Sequence, residues 1–332
     1  MPATVHVSPS ARTSLRAIIV IAAVVALLVP ITISVAHGAS RLNYAKYEHS
    51  EPLSAGMKNL NLTLDTSAEV VIKTSDVGEP TVTLAGTAPR DKTPKLNVRE
   101  SGDSSEVSVD GQHNFENARI EVALPAQLAK GLKLDLAGGF GTLNVTGDYK
   151  EIIAKTDGGS VDVDATADRL QTSTDYGETS LTGTFGTLES RTKVGTLDGT
   201  DLRVRDHVDA VTSAGSIDLD LSNDMVPVAG IVAKTDTGTI DLSLPRLKLA
   251  QENMAAEATA SKSGDEKSGD EKSADAKDLF YRINANSQQG SVDLAQELKK
   301  YDASKSAADA KGKTVIPVSV SADTGAITIE QN

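Results

Sequence analysis

No cysteine occurs anywhere in the 332 residues. Disulfides, thiolate metal sites, a cysteine nucleophile and a lipid-modified cysteine behind a leader are therefore excluded. Tryptophan is also absent, and aromatic residues make up 3% of the chain. Faces that stack sugars or bases normally need rings, so this scarcity counts against a lectin or a single-strand nucleic-acid binder. Positive charge is short as well. The 33 Lys and Arg face 46 Asp and Glu, a formal net charge of −13. Nucleic acid is excluded as a partner because phosphate binding needs clustered cations, and an anionic membrane surface would repel the chain. The short motifs of common enzymes are missing too. The five histidines form no HExxH, and there is no GxSxG elbow, GxxxxGK[ST] loop or dinucleotide fingerprint.

One long apolar run is present. Residues 17–36, AIIVIAAVVALLVPITISVA, carry no ionisable side chain. Twenty such residues span a bilayer core as a helix, which tolerates Pro30. Arg12 and Arg16 precede the run and fit a cytoplasmic N-terminus at residues 1–16. A cleavable signal peptide is the competing reading, with a cut after Gly38. The run is long for that, so an uncleaved anchor is expected. In both cases the bulk of the chain lies outside the cytoplasm, and the anchored form is a single-pass protein of the cell membrane. Residues 37–56 then read as a juxtamembrane linker.

The remainder is built on a repeat. Glycines 141, 159, 177, 195, 215, 238, 290 and 325 head similar phrases such as TDGGSVDV and TDTGTIDL. The first three intervals are 18 residues each, followed by 20, 23, 52 and 35. Seven residues before each glycine stand Leu134, Ile152, Leu170, Leu188, Val208, Ile231, Ile283 and Val318. Two after it stand Leu143, Val161, Thr179, Leu197, Ile217, Ile240, Val292 and Ile327, with a mostly aliphatic column four after. A step of two between these columns is strand periodicity, and the glycine marks a turn. The expected fold is all-β: a β-solenoid-like stack of short strands with repeats of about 18 residues, preceded by one N-terminal transmembrane helix. Residues 57–131 supply N-terminal strands that close the stack, and 132–246 supply the repeat coils. Residues 247–279 contain KSGDEKSGDEKSADAK and read as a disordered charged insertion. The last two repeats occupy 280–332, interrupted by a polar insertion at 295–312 that is compatible with a short helix or a loop.

At this point the chain resembles a family. ARIEVALPAQLAKGLKLDLAGGFGTLNV, followed by TDGGSVDV and its relatives behind a membrane leader, is similar to the bacterial putative-adhesin family catalogued as domain of unknown function 4097. The resemblance covers about residues 55–245 and resumes in the last two repeats. It implies an extracytoplasmic, β-solenoid-like fold and no catalytic residues.

One column carries chemistry. Three after the glycine stand Asn144, Asp162, Ser180, Asp198, Asp218, Asp241, Asp293 and Thr328. They alternate with buried columns and point outward. Stacked in chain order, Asp198, Asp218, Asp241 and Asp293 form an acidic ladder, with Asp164 and Asp220 beside it. Carboxylates about 5 Å apart repel by roughly 1 kcal/mol even in water. The expected role is a solvated face that keeps the stack soluble. The alternative is calcium binding by paired carboxylates, the only metal site the sequence offers. Against it, GGSVDVDAT has Val161 where a calcium β-roll nonapeptide needs glycine. A polysaccharide-active β-helix enzyme is a third reading, opposed by the acidic face and the absence of a basic cluster. The expectation is a non-enzymatic surface scaffold or adhesin-like interaction module with no required cofactor. Its partners would be an envelope or surface ligand, the membrane through the N-terminal helix, and another molecule through an end of the stack.

Overall fold

The computed structural model describes residues 43–65, 67–111, 115–262, 278–304 and 310–332. The chain is mostly β, and its fourteen strands join in one sheet. The expected membrane helix at 17–36 lies outside the described residues. Among those described, no helix is long and apolar enough to cross a membrane.

The centre is β8, Lys133–Leu221, 89 residues of extended backbone. Laid straight it would exceed roughly 290 Å at about 3.3 Å per residue. Instead it returns on itself. The Thr172 hydroxyl donates to Ser190 Oγ, 18 residues on, at 2.7 Å, and Lys193 Nζ donates to Asp175, 18 residues back, at 2.7 Å. The corner glycines give the order of the turns. A Cβ on Gly159 would collide with the carbonyl oxygen of Gly141, one on Gly177 with that of Gly159, one on Gly195 with that of Gly177, and one on Gly215 with that of Gly195. Seven of the eight corner glycines also have positive φ, from 112° at Gly159 to 148° at Gly238. Glycine is therefore required twice over, by conformation and by the approach of the neighbouring backbone.

The buried columns follow the alternation. Leu134, Ile152, Leu170, Leu188, Val208, Ile231, Ile283 and Val318 are all buried, as are Leu143, Val161, Thr179, Leu197, Ile217, Ile240 and Ile327. The narrow interior also takes hydroxyls, several of which pair with each other or with carbonyls near the corner. Thr174 bonds Thr179 at 3.0 Å, and Thr156 donates to Gly139 O and Gly158 O at 3.1 and 2.9 Å. Such pairing lets a polar sequence be strand, although the buried hydroxyls of Ser75, Thr192 and Thr212 find no partner among the described residues.

At both ends the order in space departs from the order in the chain. β9 (Gly230–Thr237) and β10 (Ile240–Leu244) continue the stack in parallel register with β8. The next layer is not β11 (Leu279–Gln289) and β12 (Val292–Leu294) but β13 (Thr314–Thr324) and β14 (Ile327–Gln331). β11 and β12 pair on the far side of those two. The glycine column agrees: Gly325 abuts Gly238, and Gly290 abuts Gly325. The N-terminal end shows the same device. β2 (Asn59–Leu64) and β3 (Ala68–Ser75) lie between β8 on one side and β6 (Ser104–Asp110) and β7 (Glu116–Pro125) on the other, all parallel. Antiparallel strands close that end: β5 (Lys95–Ser101) on β6, β4 (Thr81–Pro89) on β7, and β1 (Tyr44–Pro52) on β4.

Two boundaries differ from the sequence reading. Part of the expected linker is β1, held by backbone pairing along its whole length and carrying no buried side chain, so it left no apolar alternation to read. The expected disordered insertion opens as a helix, α1, Leu247–Lys262. Leu247 and Ala250 bury one side of it, Met254 packs against the core, and Asn253 Nδ2 donates to Asn223 O at 3.1 Å. The charged repeat that suggested disorder begins after it, and 263–277 lie outside the described residues. In the polar insertion, Gln296–Tyr301 form a 3-10 helix that buries Leu298.

Gly195→Ala should cost well above about 1 kcal/mol, since it meets both positive φ and a carbonyl. Gly78→Ala, where an added Cβ meets nothing within 4 Å, should be close to neutral. Chemical denaturation of both variants checks this, and equal effects would contradict the stacked corner.

Candidate functional site

The column three after the glycine is placed as the alternation requires, outward between buried neighbours. Asp218 stands opposite Asp241 in the parallel register of β8 with β10. Asp241 then stands opposite Thr328, and Thr328 opposite Asp293. The ladder of four is therefore broken. Asp198, Asp218 and Asp241 are contiguous, while Asp293 is separated from them by a threonine. Chain order suggested otherwise because the interposed strand is the last one in the sequence.

Partial burial pushes the Asp218 carboxyl above the usual aspartate range, and Asp198, Asp241, Asp220 and Glu330 add to the shift. Some neighbours relieve the face. Thr200 Oγ1 donates to Asp198 at 3.1 Å, and the Asn332 amide donates to Asp220 Oδ1 at 2.6 Å. Among the described residues no Lys or Arg forms an ion pair with Asp198, Asp218, Asp220 or Asp241. Elsewhere charges of opposite sign stand across rungs: Arg169 on Glu189 at 3.0 Å, Arg191 on Asp209 at 2.8 Å and Lys193 on Asp175 at 2.7 Å. Carboxylates on a flat sheet face run side by side and do not converge on a point. Among the described residues no group of three or more His, Cys, Asp or Glu is placed to hold a metal ion.

A second feature went unread in the sequence. In the column one before the glycine, Phe140, Tyr176 and Val194 are 60%, 61% and 46% exposed. Gly158 holds the rung between the two rings, and an added Cβ there would meet Phe140 Cδ1 at 2.7 Å, so the phenyl ring lies against the Gly158 backbone. Beside this ridge runs a shallow trench lined by Gly141, Gly159, Gly177 and Gly195 and by Thr142, Ser160, Glu178 and Thr196. The ridge and trench run along the stack, with a hydroxyl or carboxylate beside each corner glycine. The signal was available as one more column of the repeat, but two rings in 332 residues attract no notice until the glycine between them brings their rungs together.

No family model matches the chain, and no curated protein matches its sequence. Solved structures similar to it include a putative adhesin from Bacteroides fragilis NCTC 9343, at 13% identity over 87% of this chain and 97% of that one, with a TM-score of 0.41. Another is a putative adhesin from Parabacteroides distasonis ATCC 8503, at 8% identity over 86% and 97%, with a TM-score of 0.47. A putative cell adhesion protein from Clostridium sporogenes ATCC 15579 aligns at 10% identity over 87% and 100%, with a TM-score of 0.26. At these identities and scores the likeness brings no site residue to this chain.

Asp218→Asn should raise the melting temperature at pH 7. A carboxyl whose folded pKa lies above its unfolded value destabilises the fold once ionised, and that loss develops as pH rises from the unfolded value through the folded one. The gain should therefore disappear below the ordinary aspartate range. Thermal melts of wild type and variant at neutral and acid pH read this out, and a neutral-pH loss of stability would contradict it.

Proposed function

We propose that this protein is a non-enzymatic β-solenoid of the putative-adhesin kind, the family of domain of unknown function 4097. In this reading residues 17–36 anchor it in the cell membrane as a single-pass protein. The bulk of the chain stands outside the cytoplasm as a scaffold or adhesin-like interaction module for an envelope or surface ligand. The in-register rungs support the solenoid class, since the glycine corners repeat at one place in each layer from Gly141 to Gly290.

The observation that carries the interaction role is the exposed ridge of Phe140, Tyr176 and Val194. The chain has four phenylalanines and six tyrosines in all. Buried rings serve packing, as with Tyr281, whose hydroxyl donates to Pro245 O at 3.0 Å. Phe140 covers the Gly158 backbone yet is still 60% exposed, and Tyr176, two rungs on, is 61% exposed. Rigid aromatic side chains beside hydrogen-bonding groups are the usual anchors of recognition surfaces. The corner is also clear of the aspartate column. Beside it Asp175 is paired with Lys193 at 2.7 Å, and Glu178 lines the trench.

The calcium reading of the aspartates is not needed for this role, and the break at Thr328 shortens the run that would support it. A divalent ion would have to be held by side-by-side carboxylates with no converging third ligand.

The role is tested on intact cells displaying the full chain, with a C-terminal tag whose removal by external protease reports surface exposure. Cells carrying Phe140→Ala/Tyr176→Ala should bind their envelope or host-surface target about tenfold less than wild type, as expected for loss of two ring anchors. Tag exposure should be unchanged. Undiminished binding would remove the ridge from the account, and a protected tag would remove the extracytoplasmic placement.

A further inference from the structure

The two ends of the sheet are finished differently. At the N-terminal end, the outermost parallel strands are covered by antiparallel ones, and the edge strand β5 places Lys95, Arg99 and Glu100 on its exposed positions. Such charges discourage further pairing. At the C-terminal end, β11 pairs with β13 alone and β12 with β14 alone among the named strands. The 3-10 segment reaches this edge at Ile283, which bridges to Asp302 and accepts from Ala303 N at 2.8 Å. From Asn284 to Asp293 no strand lies on the outer side among the described residues.

The side chains there have interior character. Val292 belongs to the column that is buried in every earlier rung, yet it is 42% exposed where Ile327, in the adjacent rung, is 1% exposed. Leu294 and Ala285 are likewise only partly covered, and with Ile283 and Val292 they line a groove that also touches Lys299 and Asp302. Among the described residues no β-strand covers this rung. One placed there would supply backbone partners along 284–293 and aliphatic side chains over Val292 and Leu294.

We infer that the C-terminal rung pairs with the same rung of a second copy, tail to tail about a two-fold axis, with β12 antiparallel to its counterpart. Two further observations select this occupant. The first is charge. Residues 278–332 carry six Lys and Arg against seven Asp and Glu, whereas the preceding 277 carry 27 against 39. Two copies repel along their acidic bodies and are close to neutral at this end. The second is topology. The antiparallel closure of the other end blocks head-to-tail growth, so the contact is isologous and stops at a pair. The same patch on each molecule is self-complementary, because Val292 and Leu294 of one cover Val292 and Leu294 of the other.

The absence of cysteine makes the test direct. The full chain in detergent would carry Ser291→Cys at the open edge or Lys95→Cys at the closed end, both exposed positions. Each would be treated with a short bis-maleimide linker. Ser291→Cys should give a covalent dimer and Lys95→Cys should not. Adding Val292→Lys to Ser291→Cys should lower the dimer yield about tenfold or more. An unchanged melting temperature in that variant would show that the loss is not unfolding. Monomer from Ser291→Cys, or equal dimer from both single variants, would overturn the tail-to-tail pair. So would capture of a different protein by Ser291→Cys in cells.

Discussion

From Gly141 through Gly159, Gly177, Gly195, Gly215, Gly238 and Gly325 to Gly290, the carbonyl oxygen of one corner glycine occupies the space where the glycine of the next layer would carry a Cβ. That contact is the constraint on which the other features depend. It fixes the residue type at the corner and brings successive backbones into register. The columns on either side then follow by alternation, since a slip of one residue would turn every aliphatic side chain outward. The interior can accept Thr172 and Ser190 because register brings hydroxyl against hydroxyl, and Thr174 and Thr179 because they meet across one corner. The same register sets like against like on the outer faces. There the result depends on the residue type: Arg191 against Asp209 attracts, and Asp218 against Asp241 repels.

Both ends of the stack are held by a layer taken from elsewhere in the chain. β14 sits between β10 and β12, and β2 sits between β8 and β6. A terminal rung that followed its neighbour in sequence would be attached on one side only and would fray. An interposed rung is paired on both sides and ties together segments far apart in the chain, as Ser243 Oγ does in donating to Glu330 Oε1 at 3.2 Å across 87 residues. The cost is folding through non-local contacts, which form more slowly than the 18-residue contacts of the centre. The C-terminal end adds an aromatic cluster in a chain with few rings. Phe280 and Tyr281 meet Tyr301 edge-on at centroid distances of 4.9 and 5.7 Å.

The centre of this architecture was legible because its signal is periodic. The glycine spacing and the column from Leu134 to Val318 identify which residues are buried and which carboxylates face out. What was not legible is whatever the period does not encode. Intervals of 52 and 35 residues mark two more rungs but say nothing of which lies nearer the centre, so the aspartate ladder was drawn through a position that Thr328 occupies. β1 was missed because it pairs through backbone and presents a polar YAKYEHSEP. α1 was missed because the charged repeat at its end masked the short apolar set of Leu247, Ala250 and Met254. The aromatic ridge needed the glycine at 158 to be seen as the rung between two rings. Residues 17–36, the clearest apolar signal in the sequence, lie outside the described residues and stand on the sequence alone.

The most direct test of the account is the order of the last three rungs. Paired cysteines can be introduced into the otherwise cysteine-free chain at 241 and 328, at 328 and 293, and at 241 and 293. Parallel neighbours lie about 4.8 Å apart, within the Cα separation a disulfide accepts, whereas positions two rungs apart are about 9.6 Å away and beyond it. The account predicts that Asp241→Cys/Thr328→Cys and Thr328→Cys/Asp293→Cys each form an intramolecular disulfide under mild oxidation, and that Asp241→Cys/Asp293→Cys does not. A disulfide between 241 and 293, with none from 328 to either, would contradict it.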